Sequence, residues 1–361
     1  MSKKILFTAS TQSHLDHFHR PYIKYFEDMG YSVTTLALPV NKSFFSVQNL
    51  QAVLSTRKLL ATEQYDIISS HATLAGIVTR LAIILMGRAK KSIRVFHTSH
   101  GYLFHDDGGF KKWAYLLPEK ICGMVTDVLM VMNHEDLEIA KKHKLGGRKN
   151  RIYYINGMGL DPDRFRPTTA TREQKEAFGL EPDDFAFLYA GEFSKRKNHA
   201  LLLKAFASAQ HRLQNSKLVL AGDGILFHDI KELAKDLKID DRVIFLGYCA
   251  NIQALYPCCQ VSVSTSRIEG LPFNIMEAMA SGLPVVASNI KGHQELVVHM
   301  ENGLLFESDN EADLAQQLTE IYERADLRNQ FRSSSLERIK QFSIAEVLPE
   351  IIEIYKDNLG H

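Results

Sequence analysis

The 361-residue sequence has little cysteine: four residues, Cys122, Cys249, Cys258 and Cys259, with no C-x-x-C pair among them. That excludes a disulfide framework and a thiolate zinc site, and it indicates a reducing compartment. Long apolar runs are missing too. The longest is Leu81–Met86, where roughly 18–20 residues are needed to cross a bilayer. The opening Met-Ser-Lys-Lys, followed by Ile5-Leu6-Phe7, lacks the apolar core of a secretion signal and reads as a first strand. The expectation is a cytoplasmic protein, at most peripheral to a membrane. No net charge of one sign is available, the total being +1, so nothing argues for nucleic acid. Short repeats and low-complexity segments are also absent, which excludes a solenoid.

What is present is an ordinary globular composition, 45% hydrophobic and 24% charged, in a chain long enough for two domains. Charge is unevenly spread. Residues 1–170 hold 23 Lys+Arg against 14 Asp+Glu, and the remainder holds 20 against 28. A basic half suits an anionic surface or substrate, although solvated helix faces give the same count.

Short β-rich apolar runs alternate with helical stretches twice over. The strands are expected at Lys4–Thr8, Ser32–Ala37, Asp66–Ser70, Arg94–Thr98, Val125–Met132 and Arg151–Ile155, then at Phe185–Ala190, Lys217–Ala221, Arg242–Leu246, Val261–Ser264, Pro284–Ala287 and Gly303–Phe306. Near-continuous apolar strands separated by helices make parallel sheets covered on both faces. The fold class is therefore α/β, with two doubly wound Rossmann-like domains at 1–170 and 171–340. Pro162 to Asp184 is the expected linker. A last helix, within 341–361, has apolar positions at helical spacing and is expected to pack on a sheet or back on the first domain. Ligands of such sheets bind beyond the carboxyl ends of strands, so the residues just after strands matter most.

The strongest constellation runs from Thr265 to Ala287. A strand ends near Ser264, a loop carries Glu269, Gly270, Leu271 and Pro272, and a helix starts at Phe273 or Asn274 and holds Glu277. A helix start offers amides and the positive end of a dipole to a diphosphate. Gly270 allows close backbone approach, and Glu277, a turn inside, can accept from a ribose diol. Three consecutive cations, Lys195, Arg196 and Lys197, follow Gly191 after another strand and suit a pyrophosphate leaving group. Gly222 and Gly224 form a turn after the next strand, and Tyr248 follows Gly247 after the one beyond.

In the first half, His97 and His100 end a strand. His100 is the candidate to meet a sugar or leaving oxygen, with His97 read as packed. The segment after the first strand, expected as a polar loop facing a cleft, offers Ser13, His14 and His17 for an acceptor. A metal cluster of His14, Asp16 and His17 and a D-x-D reading of Asp161-Pro162-Asp163 are both weighed and set aside. Arg80 to Arg94 and Phe110 to Pro118 mix apolar or aromatic residues with cations, including Arg80, Arg88, Lys90, Lys91 and Lys111, a composition that settles at anionic lipid interfaces.

Glu269 and Glu277, with seven residues between them and followed by Ala-Met-Ala-Ser-Gly-Leu-Pro-Val-Val, resemble the E-x7-E signature of family 4 glycosyltransferases. The His100-Gly101 pair, the Gly222–Gly224 turn and Asn156-Gly157 through Asp161 are similar to further segments of that family. Glu192 stands where the family usually has an arginine, with Arg196 a candidate replacement, and the common Gly-Gly pair after the first strand is missing. The resemblance is nearest to the bacterial capsule and exopolysaccharide branch. It implies a GT-B fold and a retaining, metal-independent sugar transfer with no cofactor, between two domains that close on the substrates. The implied donor is a UDP-hexose or UDP-N-acetylhexosamine, and the implied acceptor a polyprenyl-diphosphate-linked saccharide at the inner face of the cell membrane. The implied catalytic residues are His100, Glu269 and Lys197. The donor site then comprises Gly191, Arg196, Lys197, Gly222, Tyr248, Glu269, Gly270, Leu271, Pro272, Phe273, Asn274 and Glu277, and Ser13, His14 and His17 face the acceptor. A UDP-sugar 2-epimerase and a non-catalytic nucleotide-sugar-binding subunit are the alternatives.

Overall fold

The computed structural model describes residues 2–41, 46–87, 93–106 and 108–359, with Lys111 by its backbone alone. Arg88, Lys90 and Lys91, and the side chain of Lys111, lie outside the described residues. The chain divides into two compact units, Met1–Gly159 with Ala345–His361, and Leu160–Ile344. The division precedes the expected linker because Pro162–Phe165 belongs to the second unit. There the Phe165 ring meets Tyr256 edge-on at 5.8 Å, and Leu160 bridges to Ser343.

The first unit has six strands, β1 (Lys4–Ala9), β2 (Ser32–Ala37), β3 (Ile67–His71), β4 (Arg94–Ser99), β5 (Val128–Val131) and β6 (Ile152–Tyr154). They pair in parallel in the order β2-β1-β3-β4-β5-β6. The order reverses between β1 and β3, the switch point of a flavodoxin-like sheet. Val125–Met132 is shorter as a strand than expected because Val125 and Thr126 donate back to Cys122 and Gly123 at 3.1 Å, prolonging the preceding helix as a turn. The segment after β1 is not a loop. It forms helix α1 (Gln12–Phe18), because the Thr11 side chain accepts from the His14 amide and caps it; α2 (Arg20–Asp28) follows at once, with Pro21 in its first turn. Helices α3 (Val47–Thr62), α4 (Thr73–Leu85), α5 (Trp113–Gly123) and α6 (His134–His143) complete this part.

Arg80 on α4 is not a surface cation. It is buried and paired with Glu119 of α5 at 2.9 Å, and its Nε donates to the Gly76 carbonyl. A buried guanidinium needs such a partner, since desolvation without one costs several kcal/mol, on the order of the loss seen when buried pairs are broken. The final helix, α15 (Ile344–Leu359), lies with the first unit. It buries Val347, Ile351, Ile352 and Tyr355, with the Tyr355 ring 4.3 Å from Phe96 and its hydroxyl 2.6 Å from Ser69 Oγ.

The second unit also has six parallel strands, β7 (Phe185–Ala190), β8 (Ser216–Ala221), β9 (Val243–Gly247), β10 (Val261–Ser264), β11 (Val285–Ser288) and β12 (Gly303–Phe306). Their order, β12-β11-β10-β7-β8-β9, is that of a dinucleotide-binding sheet, with its switch point between β7 and β10. The helices are α7 (Arg172–Ala177), α8 (His199–Ala209), α9 (Phe227–Asp236), α10 (Ile252–Leu255), α11 (Phe273–Ala280), α12 (His293–Leu296), α13 (Glu311–Glu323) and α14 (Ala325–Arg338). Phe187, Leu202, Phe206, Leu218 and Phe331 are among the side chains filling its core.

Candidate functional site

The loops after β7 and β10 meet at the switch point of the second sheet, and polar contacts lash them together. The Thr265 hydroxyl donates to the carbonyls of Lys197 and Asn198, each at 3.0 Å. Tyr189 Oη donates to the Lys197 carbonyl at 2.8 Å. The Arg267 amide donates to the Arg196 carbonyl at 2.9 Å, and the Arg267 side chain pairs with Asp309, which also accepts from Asn198.

This scaffold brings three charges together. Lys197 Nζ lies 2.8 Å and Arg196 Nη1 2.5 Å from the same oxygen of Glu269, Oε1. The Lys197 and Glu269 side chains are only 9% and 10% exposed. Burial alone would raise the Glu269 carboxyl, but Lys197 and then Arg196 overcome it and hold the group down at about 2. Glu269 is therefore an anion at neutral pH, and the triad keeps one net positive charge. Beside it His293 is wholly buried. Its pKa falls to about 4 by burial, although Glu269 pulls the other way, and its Nδ1 sits 2.8 Å from the Ser288 carbonyl.

The helix after this loop, α11, has Pro272 at its N-cap, with no side chain able to cap it. Nδ2 of Asn274 in its first turn is buried without a partner. Glu277, partly exposed, accepts from Tyr256 Oη at 2.8 Å, and that hydroxyl also lies 3.2 Å from the Asn274 carbonyl. That bond fixes the direction of the carboxylate.

Two glycines let the loops approach. A Cβ on Gly222 (φ +147°) would stand 2.1 Å from the Gly191 carbonyl oxygen, and one on Gly292 (φ +76°) 2.4 Å from that of Gly270. Gly191, Glu192, Gly222 and Tyr248 all follow carboxyl ends of strands on this side. Tyr248 is 79% exposed beyond the edge strand β9, and Glu192 is exposed. Leu271 and Pro272 are buried in the turn into α11.

In the first unit the ring of His14 lies 4.7 Å from that of His100, beyond the ends of β1 and β4. Ser13 and His17 are exposed on α1 and bond each other, with His17 Nδ1 2.7 Å from the Ser13 carbonyl, so they stand apart from the ring cluster. His97 is buried with Nδ1 3.1 Å from the Ser70 carbonyl, and its ring fills the space a Cβ on Gly76 would take.

Several residues were not visible in the sequence. Ser194 Oγ, in the loop before Lys197, is buried with no partner. Thr265, Tyr256 and His293 act through contacts across the sheet that no local motif marks. His19 and His71 join His14 and His100; His19 stands one residue past α1, where it reads as an ordinary core residue.

Two doubly wound units, each with a six-stranded parallel sheet, make the GT-B fold of glycosyltransferases. Residues 170–338 match the family "Glycosyl transferases group 1". The chain is 32% identical to the putative glycosyltransferase EpsD of Bacillus subtilis, over 98% of this chain and 97% of that one. It is 28% identical to the UDP-Gal:alpha-D-GlcNAc-diphosphoundecaprenol alpha-1,3-galactosyltransferase of Escherichia coli, over 93% and 86%. Anabaena HepE, solved in complex with UDP and glucose, has the same fold, with a TM-score of 0.77 at 20% identity over 98% of this chain and 100% of that one. The chain belongs to the group 1 glycosyl transferases, in the bacterial exopolysaccharide branch that holds EpsD.

Proposed function

We propose that this chain moves a hexose or N-acetylhexosamine from its UDP-linked form to a polyprenyl-diphosphate-linked saccharide, with retention at the anomeric carbon. The observation that carries this reading is the Lys197–Glu269–Arg196 triad beside the uncapped start of α11. A departing diphosphate needs positive charge that is already oriented. Two cations held on one carboxylate supply it while staying folded in the absence of ligand. Lys197 and Arg196 then turn toward the phosphates, and Asn274 Nδ2 and Ser194 Oγ offer bonds they do not make within the chain. Glu277 takes the ribose diol, and Glu269 faces the sugar. In this reading protein cations perform the neutralisation, so UDP affinity is the same with magnesium or manganese present or withheld.

The E. coli relative acts on a diphosphoundecaprenol-linked sugar, which supports an acceptor of that class here, met by the first unit through His14, His17, Ser13 and His100. No helix among the described residues is long and apolar enough to cross a membrane. Yet α3, α4 and α5 border an apolar groove of about 490 Å³ lined by Val47, Leu50, Leu81, Leu85, Ala114 and Pro118. Phe110 nearby in sequence is 95% exposed, as Trp113 and Leu117 partly are. With exposed Arg57, Lys58 and Lys120 on the same helices, this face suits the anionic inner leaflet that holds such an acceptor.

The direct test is incubation with radiolabelled UDP-sugars and a polyprenyl-diphosphate-linked saccharide. A labelled lipid product with α-linkage from an α-donor supports the reading. Free epimerised UDP-sugar, or tight UDP binding without turnover on any acceptor, contradicts it.

A further inference from the structure

At the switch point of the first sheet, imidazole rings gather from three stretches of chain. His14 comes from α1, His19 from the junction of α1 and α2, and His100 from beyond β4. The rings lie 4.7 Å (His14–His100), 5.1 Å (His14–His19) and 5.9 Å (His19–His100) apart, and one nitrogen of each falls within 4.8 Å of the others. We propose that His14, His19 and His100 form a binding site for one divalent transition-metal ion of the zinc type.

His14 Nε2, both ring nitrogens of His19 and His100 Nε2 are buried with no partner. Buried polar atoms are almost always satisfied, and leaving one unpaired costs about 1–3 kcal/mol. Three rings with such atoms in one place call for a ligand that takes one nitrogen from each. The ligand's chemistry follows from the set. Each neutral imidazole has one nitrogen with a lone pair, the atom a metal cation takes, and one N–H. The three offer nitrogen alone, with no carboxylate or thiolate, which suits zinc, cobalt, nickel or copper and not magnesium or calcium.

The geometry is close to what such an ion needs. Nitrogens bound at about 2.1 Å in a tetrahedral site stand about 3.4 Å apart, a spacing that small side-chain rotations reach from here. Support behind the site is already built. His71 lies 3.8 Å from His19, ring centre to ring centre, and its Nε2 is held by Ser69 Oγ at 2.8 Å, which Tyr355 Oη touches at 2.6 Å. The backbone of His14 is fixed by the Thr11 cap at 3.1 Å. His14 and His100 are only partly buried, which leaves the ion a path in and a fourth position open. Bound there, it would pin the α1–α2 segment to the end of β4. The site shares His14 and His100 with the proposed acceptor contacts, but metal binding is read without sugar transfer, so the two readings fail separately.

The test uses the full-length chain without a histidine tag. Elemental analysis should find close to one zinc per chain after growth with zinc. After stripping with chelator, a calorimetric titration with zinc should give one saturable site, and cobalt should give the visible absorption of a four-coordinate nitrogen site. His14→Gln and His100→Gln should each weaken zinc binding about 100-fold or more, while His17→Gln on the same helix leaves it unchanged. Circular dichroism of the stripped variants separates ligand loss from misfolding. Absence of a saturable zinc site in the stripped, folded wild type would overturn the assignment. So would zinc affinity unaltered in folded His14→Gln and His100→Gln, or weakened equally by His17→Gln.

Discussion

Lys197 Nζ and Glu269 Oε1 lie 2.8 Å apart, nearly buried, although seventy-two residues separate them in the chain. The pair joins the loops after the first and fourth strands of the second sheet, where the strand order reverses. Its contribution to stability and its role in binding can be separated by experiment.

The pair makes stability pH-dependent. Glu269 is held at about 2 in the folded chain against an ordinary value of 4.5. A depressed carboxyl stabilises fully above its unfolded value, and that stabilisation is lost as pH falls from 4.5 through about 2. Its size is on the order of 3 kcal/mol. Denaturant unfolding of wild type and Glu269→Gln should therefore differ most above pH 5 and converge toward pH 2. Parallel curves across that range would remove the assignment.

Histidine adds an earlier acid response. Burial lowers His293 to about 4 and His199 to about 3, from 6.5. His199 lies stacked between Tyr189 and Phe193, with centroids at 4.5 and 4.1 Å. The unfolded chain takes up these protons first, so stability present above pH 6.5 declines as pH falls toward 4. Replacing His199 with Phe should flatten that part of the stability curve, measured by chemical unfolding at pH 7 and 4.5.

Glu277 and Tyr256 should act together on the ribose. Glu277→Ala should erase the preference for UDP over 2′,3′-dideoxy-UDP. Tyr256→Phe, which removes the hydroxyl bond at 2.8 Å, should reduce that preference by about 5–10-fold, within the range of one ordinary net hydrogen bond. Calorimetry with the two nucleotides reads both effects, and a preference unaltered in Glu277→Ala would place the ribose elsewhere.

Gly292→Ala should be far more damaging than Gly30→Ala. Both positions have positive φ, +76° and +82°, but only at Gly292 would the new Cβ strike backbone, 2.4 Å from the Gly270 carbonyl oxygen. Strain of the φ alone costs about 1 kcal/mol or more, and the clash adds displacement of the Glu269–Gly270 loop. UDP binding should fall in Gly292→Ala and persist in Gly30→Ala; equal binding in the two would mean that the loop position is immaterial.

The architecture was largely legible in the sequence. All twelve strands lie within a few residues of where the β-rich runs fall; the inner ones, buried on both faces, leave nearly continuous apolar residues, as in β5 and β11. Glu269 and Glu277 were legible because they flank a helix start within one short segment. The pairing of Glu269 with Lys197 was not, since it depends on β7 and β10 being neighbours, a fact of topology with no local trace. Arg80 read as a surface cation beside an apolar run, yet it points inward to Glu119, thirty-nine residues on. His19 and His71 were passed over for the same reason: each is unremarkable until β1, β3 and β4 are laid side by side. The polar, histidine-rich composition of α1 hides the Thr11 cap, so the sequence there has the look of a loop.

Isothermal calorimetry of UDP with wild type, Lys197→Ala and Arg196→Ala, in buffers with and without magnesium, tests the central claim most directly. The account predicts a loss of at least about 10-fold in affinity for Lys197→Ala, a charge-assisted contact of about 1.5–3 kcal/mol, a smaller loss for Arg196→Ala, and no effect of magnesium on wild type. UDP affinity unchanged in Lys197→Ala, or restored to all three proteins only by magnesium, would contradict it.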